Sequence, residues 1–166
     1  MSKAIIKYIY QLPIFLLIQI YILNEILFAS YINPYLYIII LIIMPNKIPT
    51  WFLLIYAFTF GLLIDIFSGN LGIHSTACLM IAIIKTSTSR ITIPHNIIED
   101  HDELIIQKIG AKSFILFSSI LIFIHHSTLF ILEHTTFNFQ ILIKIILSTV
   151  ITSIIVSITQ LFFYKA

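Results

Sequence analysis

Long apolar runs separated by short polar breaks make up nearly the whole chain. Crossing the hydrocarbon core of a bilayer takes about 20 residues of helix, so runs of this size predict membrane spans. The pattern predicts six spans, at about residues 4–28, 31–44, 50–67, 71–84, 113–132 and 139–164. The second and fourth are short, which requires tilting or local thinning of the bilayer. The interval at about 85–112 is too small to bury a core of its own and is predicted to be a cytoplasmic loop.

Composition places the chain far outside the range of soluble domains. Of its 166 residues 60% are hydrophobic and 10% charged, and the mean hydropathy is +1.08. The net charge of +2 does not indicate nucleic-acid binding, because the cations lie beside apolar runs as topology charges do. Cys78 lies within an apolar run and is predicted to be a structural thiol. We therefore predict an all-α integral membrane protein with a single transmembrane domain over residues 1–166.

The cations also predict the orientation. With six spans nearly all of them fall on one side, which the positive-inside rule makes the cytoplasm, so both termini are predicted to be cytoplasmic. Lys144 is the exception and is predicted to snorkel outward or to pair with an acid. Glu25, Asp65 and Glu133 then end three spans at the outer face, near His74. These four residues form either an outer pocket or ion-pair cluster, or simple decoration of helix ends.

Residues 58–75 read F-T-F-G-L-L-I-D-I-F-S-G-N-L-G-I-H-S, which places a carboxylate and glycines within hydrocarbon. An unpaired charge at mid-helix costs roughly 2.5–3.5 kcal/mol, so an intramembrane acid usually faces protein or water. Asp65 is predicted to cap nearby backbone donors or to pair with Lys144 or His74. The glycine-rich break that contains Gly72 predicts a tight turn between two spans.

Small residues recur at helical spacing on two spans. Ala57, Gly61 and Asp65 are four residues apart, so they lie on one face of the third span, where another helix can pack closely. The sixth span carries a small polar face that includes Ser153 and Ser157. Helix packing within the chain is the usual meaning of such faces, and docking of a partner's helix is the functional interpretation.

Patterns for catalysis or metal binding are weak. Ser119, His126 and Glu133 recur at intervals of seven. Residues at that spacing are about 10 Å apart along a helix and cannot form a hydrogen-bonded triad. A packed polar face is preferred to a proton relay, which would need such groups on several helices. The acidic segment 99–103 fits no ligand pattern and is interpreted as a solvated turn. We predict no enzymatic activity and no metal or other cofactor.

Several features of residues 34–90 occur together in one known family. They are a short span flanked by prolines, the sequence W-F-L-L-I-Y-A-F-T-F-G-L-L-I-D-I-F-S-G-N-L-G-I-H, and a following span that ends at Lys85 with Arg90 beyond it. The most characteristic positions are Gly61, Asp65 and Gly72. The segment resembles the bacterial rod shape-determining protein MreD family, and chain length and topology extend the resemblance loosely over the rest.

The resemblance implies a scaffold in the inner membrane that supports peptidoglycan synthesis by the cell-elongation machinery and so determines cell shape. The implied partners are MreC, the actin-like MreB, RodA and an elongation-specific penicillin-binding protein. It also implies a fold similar to the substrate-binding subunits of energy-coupling-factor transporters, which makes small-molecule uptake the alternative function. The first span lacks the small residues at four-residue spacing with which such a subunit would dock on its coupling partner. The groove of span 3 or that of span 6 is predicted to receive the transmembrane helix of MreC or of another partner.

Overall fold

The computed structural model describes residues 2–24, 32, 34–70, 72–94, 97, 103–134 and 138–163. Every secondary-structure element assigned in this part of the chain is a helix, which confirms the all-α prediction. Helix α1 is Ser2–Ile18 and continues as a π-helical segment, Gln19–Leu23. The others are α2 Ile38–Ile43, α3 Thr50–Ser68, α4 Ile73–Thr92, α5 Ile106–Ile109, α6 Ala111–Glu133 and α7 Phe139–Phe163.

Four of the described segments are long and apolar enough to cross a membrane: Ile5–Leu23, Thr50–Ser68, Ala111–Glu133 and Phe139–Phe162. They correspond to the first, third, fifth and sixth predicted spans. Their outward faces carry large exposed apolar side chains, such as Ile14, Ile66 and Ile154. Such faces suit a lipid environment, so the helices are compatible with a multi-pass membrane protein.

The predicted second span is helical only over α2, which is about 9 Å long at 1.5 Å per residue. Every side chain from Ile38 to Met44 is fully buried. A helix that is apolar all round belongs inside a bundle, and α2 contacts α1, α4 and α6. Its helical part is therefore an internal element, shorter than the bilayer core is thick.

Helix α4 continues beyond the predicted boundary at residue 84 and ends at Thr92. The Thr88 hydroxyl donates to the Ile84 carbonyl at 3.1 Å, and the Thr92 hydroxyl donates to the Thr88 carbonyl at 2.8 Å. Because these bonds satisfy the hydroxyls within the helix, the polar stretch stays helical and is partly buried. The first part of the predicted loop 85–112 is thus helix, and α5 follows later within the same interval.

Helix α4 packs against both α3 and α6, while α1 packs on α3 and α7 packs on α6. One end of the bundle is closed by the segment before α5. There Lys7 Nζ is 2.6 Å from Glu103 Oε1, and the Leu104 N–H donates to the Ile43 carbonyl at 3.0 Å. The Lys85 ammonium donates to the Met44 carbonyl. These donors satisfy carbonyls at the C-terminal end of α2, and the lysine also suits the negative end of the helix dipole.

Candidate functional site

Asp65 is fully buried in the last turn of α3, against the start of α4. Its Oδ1 accepts the His74 N–H at 2.9 Å, and its Oδ2 accepts the Ser75 N–H at 3.0 Å and the Ser75 hydroxyl at 2.9 Å. The first N–H groups of a helix have no acceptor within the helix, and a negative charge there also suits the helix dipole. The prediction that Asp65 caps nearby backbone donors is confirmed, and the helix that it caps is α4.

The backbones of α3 and α4 meet directly at Gly61. A Cβ atom at this position would lie 2.4 Å from the Ser75 Cα and 2.6 Å from the Ser75 nitrogen. Gly61 is therefore needed for space. Between the helices, Gly69 has φ 71° and Gly72 has φ 88°, left-handed values that glycine adopts at little cost. The predicted tight turn is confirmed.

On the face formed by Ala57, Gly61 and Asp65, the chain's own α4 covers Gly61 and Asp65, and Ala57 is buried as well. Close packing within the chain describes it, and no room remains on it for the helix of a partner. Of the two grooves predicted as alternatives for a partner's helix, that of α3 is therefore occupied within the chain, and the face of α7 is the one that remains.

Next to this corner lies a buried cluster of two tyrosines and three histidines, Tyr35, Tyr37, His74, His125 and His126. The Tyr37 hydroxyl oxygen is 2.7 Å from His125 Nε2 and 3.2 Å from His74 Nδ1. One hydroxyl proton serves only one of these nitrogens, so the other ring donates its own N–H to the oxygen. The hydroxyl therefore links α4 and α6 through the residue that immediately precedes α2.

The hydrogen bonds also indicate tautomers. His125 Nδ1 is buried without a partner among the described residues, which favours a proton on Nε2, because orphaned buried N–H groups are rare. His126 Nδ1 lies 2.8 Å from the Ile122 carbonyl and so carries the proton of that ring. The Tyr35 ring centroid is 5.4 to 5.8 Å from the ring centroids of all three histidines. We missed this cluster in the sequence. The adjacent histidines within an apolar run were its only signal there, and nothing marked the tyrosines.

Of the two alternatives predicted for Lys144, the structure shows pairing with an acid, and the acid is Glu133. The Lys144 Nζ is 3.7 Å from Glu133 Oε2 and 4.4 Å from the ring centroid of Phe130, so the pair bridges α7 and α6. His134 Nε2 is 3.9 Å from the same carboxylate. Of the four residues predicted at the outer face, His74 and Asp65 meet at the α3–α4 corner, and Glu133 belongs to this separate pair. Glu25 lies outside the described residues.

The predicted polar face of α7 packs largely on α6. Ser148, Thr152 and Gln160 are fully buried. The Ser119 hydroxyl donates to the Ser153 hydroxyl at 3.3 Å across the two helices. Ser153 and Ser157 are half-buried and form the edge of the packed face. This edge, unlike the face of α3, is open to a neighbouring helix.

The chemistry of the site is that of hydrogen-bonded packing. Within the described ranges, no three histidine, cysteine, aspartate or glutamate side chains are grouped as metal ligands, and most of the acidic segment 99–103 lies outside those ranges. Cys78 is free and buried, as predicted. No family model, curated protein or solved structure matches this chain. The fold and the site therefore define the class of protein only as a helical membrane bundle with a hydrogen-bonded polar interior.

Proposed function

We propose that this protein is a non-enzymatic scaffold of the bacterial cell-elongation machinery, of the MreD type, in the cytoplasmic membrane. The observation that carries the proposal is the use of Asp65, which joins α3 to α4 through three hydrogen bonds. The characteristic positions Gly61, Asp65 and Gly72 then have one common purpose, which is to build a rigid corner between two helices. A rigid bundle suits a protein that holds other membrane helices in place.

We also propose six membrane crossings with both termini in the cytoplasm, in an arrangement similar to the transporter subunits named above. The contacts Lys7–Glu103 and Leu104–Ile43 support this, because they bring residues 7, 43 and 103 to the same end of the bundle. An even number of crossings must therefore separate each pair of these positions. Between residues 7 and 43, the first span makes one crossing and the segment that ends in α2 makes the second. Between residues 43 and 103, α3 and α4 make two more crossings.

The partner-binding face in this proposal is the exposed side of α7. Ser153 and Ser157 lie at its half-buried edge, beside the exposed Ile154 and Ile158. Small residues next to apolar ones allow another helix to approach closely in a membrane. The transmembrane helix of MreC is the proposed occupant, and MreB, RodA and the penicillin-binding protein belong to the same assembly.

A bulky side chain at this edge tests the proposal. Ser157→Phe should reduce the recovery of tagged MreC with this protein several-fold while the protein level stays unchanged. The matched control is Ile83→Phe, on an exposed position of α4, which should leave recovery unchanged. Full recovery of MreC with Ser157→Phe would contradict docking on α7.

The second candidate function is that of a substrate-binding subunit of a small-molecule transporter. The cluster around Tyr37 favours it, because binding sites combine aromatic side chains with a few polar groups. Tyr37→Phe separates the two functions in cells. Loss of uptake of a vitamin at a normal protein level supports transport, whereas normal uptake with a changed cell shape supports the scaffold.

A further inference from the structure

A groove of about 180 Å³ lies at the start of α7, against Ile32. Its lining is Ile32, Gln140, Ile143, Lys144 and Leu147. The apolar members Ile143 and Leu147 are partly exposed, so the groove opens on the surface that faces lipid in a membrane. The lining positions on α7 extend over about 10 Å of helix, with Gln140 at one end and Leu147 at the other.

The charged member of this lining is Lys144, which faces Glu133 on α6 beside the groove, and His134 Nε2 lies 3.9 Å from the same carboxylate. The Lys144 Nζ and the Glu133 Oε2 are 3.7 Å apart, which is close enough for attraction and too long for a hydrogen bond. The side chain of Lys144 is 23% exposed and that of Glu133 is 38% exposed, so both groups are accessible at the rim. Hydrogen-bonding capacity therefore remains for a ligand with one anionic and one cationic group.

We propose that this groove binds one phospholipid whose head group carries a phosphate and a primary ammonium, as phosphatidylethanolamine does. Part of an acyl chain lies along Ile143 and Leu147, the phosphate accepts hydrogen bonds from Lys144 and Gln140, and the ammonium donates to Glu133. A phosphatidylglycerol head group offers no cation to Glu133. A choline head group has the charge but no N–H donor. The site is independent of the proposed scaffold function.

Native mass spectrometry of the purified full-length chain in detergent tests the proposal, with phosphatidylethanolamine, phosphatidylglycerol and phosphatidylcholine added separately. Phosphatidylethanolamine should be retained about fivefold better than either of the other two, as expected for partly exposed ion pairs. Lys144→Gln should remove this preference. The matched control is Lys112→Gln, at an exposed cation at the other end of α6, and it should keep the preference.

Leu147→Trp provides a second variant that leaves both charges in place. Its side chain fills the apolar part of the groove and should reduce phosphatidylethanolamine retention to the level of the other lipids. The proposal is overturned if the three lipids are retained equally by the unmodified protein, or if phosphatidylglycerol is preferred. It is also overturned if both Lys144→Gln and Leu147→Trp retain phosphatidylethanolamine as the unmodified chain does.

Discussion

At the scale of single residues, Asp65 is stable inside an apolar bundle because donors of α4 replace the water that it has lost. Two of the three donors are backbone N–H groups, whose position does not depend on a flexible side chain. The carboxylate and the helix start therefore satisfy one another, and removal of either leaves a buried polar group without a partner. An unsatisfied buried polar group costs more free energy than a hydrogen bond contributes on balance, so removal of either partner lowers the stability of the fold.

Asp65→Asn should lower the free energy of unfolding by about 2–3 kcal/mol, because the amide offers one acceptor oxygen and points its own N–H groups toward donors. Ser75→Ala removes only the hydroxyl hydrogen bond and should cost about 1 kcal/mol. Reversible unfolding in mixed detergent micelles measures both. Equal losses for the two variants would contradict the capping role of the carboxylate. Under the proposed scaffold function, Asp65→Asn should also lower the protein level in cells and make the cells round.

At the scale of helices, the α3–α4 corner uses glycine for two different physical reasons. Gly61 provides space, since the backbone of α4 occupies the position of its missing Cβ. Gly69 provides a left-handed turn, and among the described residues no atom lies within 4 Å of a Cβ at that position. The corner therefore tolerates different substitutions at Gly61 and at Gly69.

Gly61→Ala should lower the free energy of unfolding by about 1–3 kcal/mol, because α3 and α4 must move apart to admit the methyl group. Gly69→Asn should cost less, since asparagine adopts left-handed values more readily than other side chains and has room there. Adding Ser75→Ala to Gly61→Ala should not restore the lost stability, because the clash involves the backbone of Ser75. Thermal unfolding of the variants in the same detergent measures these effects, and a neutral Gly61→Ala would disprove the close approach.

At the scale of the whole molecule, contacts far apart in sequence constrain the topology. Lys7, Ile43 and Glu103 meet at one end of the bundle, although they are far apart in the sequence and long helices separate them. The short helix α2 is held in position by the helices that surround it, since it is too short to cross a bilayer by itself. The same surroundings hold the buried polar cluster, whose members come from α4, α6 and the segment before α2.

The proposed topology predicts opposite labelling of two loops. In a Cys78→Ala background, Asn70→Cys should react with a membrane-impermeant maleimide on intact cells, because the turn between α3 and α4 is then external. Lys112→Cys should react only after the cells are opened. Both positions retain exposed surface in the folded chain. Labelling of both from the same side would contradict the six-span arrangement.

The sequence determined the long apolar helices and the glycine turn, and it limited Asp65 to a cap or an ion pair and Lys144 to snorkelling or pairing with an acid. These follow from local rules, because run length, glycine content and the cost of a buried charge depend on neighbouring residues along the chain. Reliance on hydropathy also explains why the predicted fourth span ends at residue 84, whereas α4 continues to Thr92. Its buried threonines look like loop residues until their hydrogen bonds to the preceding turn are seen.

Only the tertiary structure decided what covers each face. It alone placed α4 in the groove of Gly61, brought Tyr37 between His74 and His125, and chose Glu133 as the partner of Lys144. The reason is physical. Helical periodicity states which residues share a face, whereas the identity of the opposing surface depends on packing between segments that are distant in the sequence.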